Sequence, residues 1–264
     1  LPGEAGVRGR SPDGRWQAFV RDHDLWVRSL ETGAETRLTD DGAPGWDYAT
    51  PLPNPLRLIE ERTETLEQPP SVFWSPDSTR LLTYRIDSRD AGRLTVVQHA
   101  PDYRMRPASY EYVYPLPQDS VLPTAQPVLF SIDGWRRIPV ETQPIEMQYY
   151  GGTGFRWSED GSHALAIVAN RGYTRQEVRE IDPETGFVMD LKRLREAAEE
   201  RVVGDLDHRN LNLDVAWLEG VIPTTENLVV AIWQRLVGEF PAGVELQRLV
   251  LWETPRNYVE YGGE

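Results

Sequence analysis

An aspartate directly before a histidine, Asp207-His208 in the loop "GDLDHRNLN", is the pair best equipped for chemistry in this sequence. A carboxylate beside an imidazole orients the ring and favours its charged form, which suits proton transfer near neutral pH. Neighbours in the chain need not touch through their side chains, so the pair also reads as ordinary loop polarity. The other histidines, His23, His99 and His163, fall among strand and turn patterns and read as structural. No two histidines form a His-x-His pair, and no metal-ligand set is expected. Cysteine is absent, which removes disulfides, thiolate zinc sites and cysteine nucleophiles together. Ser131 and Ser158 lack flanking glycines and no Gly-x-Ser-x-Gly occurs, so no serine is presented on a sharp nucleophile elbow.

Two helices and two strands must position the Asp207-His208 loop. In "MDLKRLREAAEERV" apolar residues fall at 191, 194, 198 and 202, a helical stripe with Asp190 placed as its N-cap. "TTENLVVAIWQRLVGEF" repeats the pattern, with Leu228, Ile232 and Leu236 on one face, a threonine cap and Glu226 in the first turn. Two strands follow, "VELQRLVLWET" and "NYVEYGGE", divided by the turn "PRN".

The preceding residues follow another rule. "SPDGRWQAFV" from Ser11, "WSPDSTRLLTY" from Trp74 and "WSEDGSHALAI" from Trp157 each set a Ser-x-Asp-Gly/Ser turn before an alternating apolar strand. Proline pre-sets the first turn angle, aspartate bonds its own backbone and glycine accepts the left-handed corner. Recurrence of such units is expected of radially repeated β-sheets, the blades of a propeller, and also of other antiparallel β proteins with tight turns.

The 264 residues suffice for one large or two small domains, and 39% hydrophobic content with 9 Trp and 11 Tyr is globular. A net charge of −14 argues against nucleic acid as the main partner. Only Lys192 among the 28 basic residues is a lysine, a bias of composition. No apolar run approaches the roughly 20 residues needed to span a bilayer, so no membrane partner is expected. The opening "LPGEAGVRGRSPDGRW" has no apolar core of the signal-peptide kind and enters a turn abruptly, which suggests a fragment or a processed end.

"SPDGRWQAFVRDHDLWVRSLETGAETRLTDDG", "SVFWSPDSTRLLTYRIDSR", "YEYVYPLPQDSVLPTAQPVLFSID" and "NRGYTRQEVREIDPETG" resemble successive parts of the N-terminal propeller of the dipeptidyl peptidase IV group. The resemblance runs from residue 9 to about 186 and implies three or four blades of a larger ring. In that family the propeller shapes the entrance and a following α/β-hydrolase domain does the chemistry; that domain is missing here. The family's paired glutamates, which hold a substrate ammonium, have an echo in Glu60-Glu61, read as a solvated loop pair.

"LDHRNLNLDVAWLEGVIPTTENLVVAIWQRL" followed by "VLWETPRNYVEYGGE" resembles the C-terminal part of 6-pyruvoyl-tetrahydropterin synthase and of the 6-carboxytetrahydropterin synthases of queuosine biosynthesis, over residues 182–264. The resemblance implies the tunnelling fold, small subunits whose strands form a ring with helices outside. It assigns Asp207 and His208 to the family's proton-transfer pair and Glu253 to the glutamate that anchors the pterin. A carboxylate suits adjacent N–H donors because its two oxygens can accept both. Thr224 and Thr225 match the segment that helps hold the same ring. The complete enzymes act as lyases on dihydroneopterin triphosphate, with zinc on three histidines and, in most members, a cysteine base. This chain lacks both sets, so no cofactor and no catalysis by the chain alone are expected.

The expected architecture is therefore a mainly β part, residues 1–186, a partial propeller. An α+β part, residues 187–264, follows it: a partial tunnelling-fold unit with two helices and a C-terminal β-hairpin. "DPETG" suits a turn in either parent and is the expected junction, from joined genes or reads or from a sequence generator. Function divides between a pterin-binding synthase derivative and a non-catalytic propeller module that binds or gates substrate for a peptidase. A third reading is a chimera without selected function. Unpaired strand edges favour self-association into a homo-oligomer. The compartment stays open, the cytoplasm being favoured.

Overall fold

The three Ser-x-Asp turns fold alike. In the computed structural model, which describes residues 9–263 apart from 64–65, 148–152, 173, 175, 241–244 and 255–256, the hydroxyls of Ser11, Ser75 and Ser158 donate to Asp13, Asp77 and Asp160 at 2.6, 2.6 and 2.7 Å. The same hydroxyls accept the N–H of Trp16, Arg80 and His163, which start or precede the next strand. The corner residue is left-handed each time: Gly14 (φ 74°), Ser78 (φ 61°) and Gly161 (φ 74°). Glycine adopts that conformation without a Cβ clash; Ser78 does not, and its hydroxyl accepts the Asp13 N–H of the preceding turn at 3.0 Å.

Three sheets grow from these turns. The first is β1 (Trp16–Arg21), β2 (Asp24–Ser29) and β3 (Glu35–Arg37). After the helix α1 (Pro55–Glu61), the central sheet begins with β4 (Phe73–Trp74) and β5 (Arg80–Asp87). A side hairpin, β6 (Arg93–Gln98) and β7 (Ala108–Val113), leaves it before β8 (Thr124–Ser131), β9 (Arg136–Ile138) and β10 (Ile145–Glu146) complete it. The third is β11 (Gly154–Trp157), β12 (Ala164–Ala169), β13 (Gln176–Ile181) and β14 (Val188–Asp190).

Burial follows from stacking. On the central sheet Leu81, Val128 and Phe130 pack with Ala18, Leu25 and Val27 of the first sheet. Leu82, Tyr84 and Leu129, on its other face, pack with Phe155, Ala164 and Ala166 of the third. Residues of β5 are consequently buried on both faces, whereas β12 alternates, as a sheet covered on one side must. A repeated bond joins the sheets: the indole N–H of Trp74 donates to the Gly9 carbonyl and that of Trp157 to the Phe73 carbonyl, both at 3.0 Å.

The helix α1 corrects the loop reading of Glu60-Glu61. Asn54 caps it by accepting the Leu56 N–H at 3.0 Å, Pro55 opens it, and Arg62 ends it in a left-handed conformation (φ 55°). Its buried residue, Leu58, packs with Ala108 and Tyr110 and the half-buried Ile59 joins them, an apolar stripe too brief to stand out. Glu61 pairs with Arg57 one turn back.

The turn "DPETG" is built by Asp182, whose carboxylate accepts the N–H of Glu184 at 2.7 Å and of Thr185 at 3.0 Å. Arg80 of the central sheet holds it from outside, donating to the Pro183 carbonyl at 3.1 Å and pairing with Glu184.

Contacts divide the chain between Met189 and Asp190 into two compact units. The C-terminal unit opens with α2 (Leu191–Ala198), continues through a π-helical turn (Glu199–Val203) and ends that helix in α3 (Gly204–Leu206). The widened turn is closed by Gly204 N–H on the Glu199 carbonyl and by the Arg235 guanidinium, which donates to the Arg201 carbonyl at 2.6 Å. That turn shifts the predicted stripe: Val202 is buried, but Leu194 is 40% exposed, while the Leu191 side chain lies outside the described residues. Next comes α4 (Thr225–Leu236), with Ile232 and Leu236 buried and Leu228 packed beside them. The hairpin β15 (Leu249–Thr254) and β16 (Asn257–Tyr261) sets Leu249 and Leu251 in the same cluster. Strand begins five residues later than the sequence reading placed it; residues 245–248 are irregular, and Val244 and two residues of the "PRN" turn lie outside the described residues.

Candidate functional site

Within the C-terminal unit, the start of α4 and the end of the hairpin share one open depression of about 350 Å³. Thr225, Glu226, Glu253, Asn257, Tyr258 and Val259 line it. Pairing places Trp252 opposite Tyr258 and Thr254 opposite Asn257, so Glu253 is the extra residue of a β-bulge. A bulge turns one side chain out of the strand's alternation, which here brings Glu253 to the same hollow as Thr225.

Thr224 is the N-cap of α4, accepting the Asn227 N–H at 3.3 Å. Glu226 follows in the first turn. Its own backbone N–H, and then the Thr224 hydroxyl, hold its carboxyl below the usual glutamate range. Two carboxylates therefore face one polar hollow, which favours a ligand rich in N–H donors or carrying positive charge.

Asp207 and His208 do not line that depression. They follow α3 directly and are largely in solvent, with side chains 68% and 95% exposed. Asp207 Oδ1 stands 3.7 Å from His208 Nε2, beyond hydrogen-bond range. His208 is left-handed (φ 55°). The helix end before them is held firmly: Asp205 accepts both the Trp217 indole N–H at 3.0 Å and the Arg235 guanidinium at 3.1 Å.

A zinc centre of the kind the synthase resemblance implies needs three imidazoles around one ion. His23, His99 and His163 belong to the N-terminal unit and His208 to the other, and the chain has no cysteine. His23 faces Asp47 at 2.5 Å and His163 faces Glu180 at 2.9 Å. Among the described residues no three or more His, Asp or Glu side chains are grouped to hold an ion. The residues do not fit a three-imidazole zinc centre.

Residues 2–202 match the family model described as dipeptidyl peptidase IV (DPP IV) N-terminal region, and residues 172–264 match that of 6-pyruvoyl tetrahydropterin synthase. The 6-pyruvoyl tetrahydrobiopterin synthase of Dictyostelium discoideum is 39% identical over 105 residues, 39% of this chain and 70% of that protein. The chain belongs to both families. The dihydroneopterin monophosphate aldolase of Pyrococcus furiosus is 36% identical over 104 residues, 38% of this chain and 86% of that protein. The human 6-pyruvoyl tetrahydrobiopterin synthase is 46% identical over 85 residues, 32% of this chain, and the chain spans only 58% of its length. The crystal structure of Porphyromonas gingivalis dipeptidyl peptidase 4 shares the fold of the β-rich part, with a TM-score of 0.51 and 18% identity over 70% of this chain and 25% of that one.

A region like 6-pyruvoyl tetrahydropterin synthase is thus fused to an N-terminal region of the dipeptidyl peptidase IV family, and the matches overlap over residues 172–202. That overlap contains β13, the Asp182 turn, β14 and α2. The sequence alone does not mark Glu226, Asn257, Tyr258 and Val259 as lining residues. Pairing "WET" against "NYV" across the hairpin identifies the last three. In sequence Glu226 reads only as a helix-start charge.

Proposed function

We propose that the C-terminal unit is a tunnelling-fold half that binds the donor-rich ring edge of a reduced pterin at Glu253, and that the residues preceding it in sequence are a partial propeller that does no chemistry. The observation that supports this reading is the bulge that sets Glu253 into the same hollow as Thr225. A pterin's amino-pyrimidinone edge presents neighbouring N–H groups, and a carboxylate accepts two at once. Thr224 shapes the hollow by capping α4, and Thr225 lines it.

Asp207 and His208 are the proposed proton-transfer pair, unassembled in the isolated unit because nothing holds the ring against the carboxylate. On this reading the lyase reaction on dihydroneopterin triphosphate does not proceed on this chain alone, since among the described residues no three histidines are grouped and the chain has no cysteine. Copies associate through the outer edges of the two-stranded β15–β16 sheet, neither of which is paired among the described residues.

Fluorescence titration with a reduced pterin tests the reading. Saturable binding lost in Glu253→Ala supports it; equal binding by both proteins refutes it. Stoichiometric zinc in metal analysis of the purified chain would refute the inactive reading separately.

A further inference from the structure

In the C-terminal hollow we infer that Asn257 determines which ring is accepted: its side-chain amide donates to the carbonyl oxygen beside the N–H pair that Glu253 takes, so the site selects a 2-amino-4-oxo ring. This selection, which rests on the pterin reading above, concerns the one atom of that ring edge that a carboxylate cannot serve.

The hairpin register brings Asn257 to the place. Pairing sets Leu251 opposite Val259 and Leu249 opposite Tyr261. Leu249 and Leu251 pack with Ile232 and Leu236 of α4, and the Tyr261 ring meets Trp233 of the same helix edge-on at 5.4 Å. Side chains alternate along a strand, so Asn257 shares the helix-facing side with Val259 and Tyr261 and lines the hollow with Glu253. Tyr258 borders the hollow too, but its ring pairs with Trp252 at 4.6 Å on the other side of the hairpin.

Donors are scarce there. A carboxylate only accepts, and next to the 2-amino and N3 hydrogens the ring edge carries an oxygen that loses a water bond on binding. Glu226 is another acceptor, already engaged by its own N–H and the Thr224 hydroxyl. The backbone N–H of Asn257 donates to Thr254 Oγ1 at 3.1 Å, whereas its side-chain amide bonds to nothing among the described residues. With no partner to fix it, that amide is free to turn its NH2 group toward a ligand. It also stands on the same hairpin as Glu253, as adjacent atoms of one ring edge require. The Thr225 hydroxyl is the competing donor, but it comes from the first turn of α4.

Replacing the ring oxygen by sulfur keeps both N–H groups and removes the good acceptor. Dihydropterin and its 4-thio analogue, measured on the full chain by equilibrium dialysis without oxygen, should differ about tenfold in affinity, the oxo ring binding tighter. Asn257→Asp keeps the size of the side chain and removes the donor; it should weaken the oxo ring about tenfold and abolish or reverse the preference. Asn257→Ala should also abolish it, and replaces the aspartate variant if that does not fold. A purely structural role lowers both affinities and keeps their ratio, which overturns the inference. Equal affinities in the parent overturn it too, as does a preference that survives Asn257→Asp and disappears in Thr225→Val. If Glu253→Ala loses binding while Asn257→Asp keeps the ratio, the pterin reading stands and this selection alone falls; a parent that binds neither ring removes both.

Discussion

The indole of Trp157 reaches across to the Phe73 carbonyl and repeats, one sheet later, the bond from Trp74 to Gly9. A contact reproduced at two junctions with the same length is a rule of assembly, so its removal should have the same effect at both. Trp157→Phe and Trp74→Phe keep an aromatic ring and lose the donor. Each is expected to lower stability by about 1 kcal/mol in urea unfolding. A loss at one site and none at the other would show that the junctions are not equivalent.

Ser78 occupies a left-handed corner that glycine fills in the other two turns, and it also accepts the Asp13 N–H. Ser78→Ala keeps the backbone strain and removes the acceptor of the part-buried Asp13 N–H bond, for an expected loss of about 1 kcal/mol. Ser78→Gly relieves the strain and should unfold at a urea midpoint above the alanine variant. Equal midpoints would remove the strain argument.

Acid should unfasten the turns. Burial pushes the Asp13 carboxyl up, but the Ser11 hydroxyl, the Arg15 N–H and the Arg15 guanidinium together bring it from 3.8 to about 2. At Asp160 the Ser162 and Ser158 hydroxyls hold the carboxyl well below its usual range. At Asp77 burial opposes, and the Ser75 hydroxyl and Thr79 groups outweigh it. Each folded value lies below the unfolded one, so the contribution is complete above pH 4 and is lost as pH falls through the folded value. Circular dichroism should follow destabilisation between about pH 4 and 2, and Asp13→Asn should flatten that dependence.

The C-terminal site separates into two halves with different sensitivities. Glu253→Gln leaves the hollow's shape but removes the charge, and should weaken reduced-pterin binding about tenfold, measured by fluorescence. His208→Gln changes an exposed side chain outside the hollow and should leave both affinity and stability within about 0.5 kcal/mol of the parent. Equal losses in the two variants would join the halves into one site.

Local chemistry explains what could be read in advance. Serine, aspartate and glycine announce their turns because each bond is made within five residues, and α4 shows its cap and its face for the same reason. The helix α1 is not legible because only Leu58 and its neighbour Ile59 anchor it, too few to set a helical period. Leu194 is exposed because a π-helical turn, stabilised from a distance by Arg235, rotates the face that a regular helix would keep. Glu253 stood in a recognisable motif, but its bulge, and with it the company of Asn257 and Tyr258, depends on cross-strand register.

The partition of contacts between Met189 and Asp190 also sets an order of events during synthesis. Every partner strand of the first three sheets lies within residues 9–190, so the ribosome can deliver a folded β unit while residues 191–264 are still being translated. The Asp182 turn then emerges already clasped by Arg80, and the later segment starts its own folding from an anchored end.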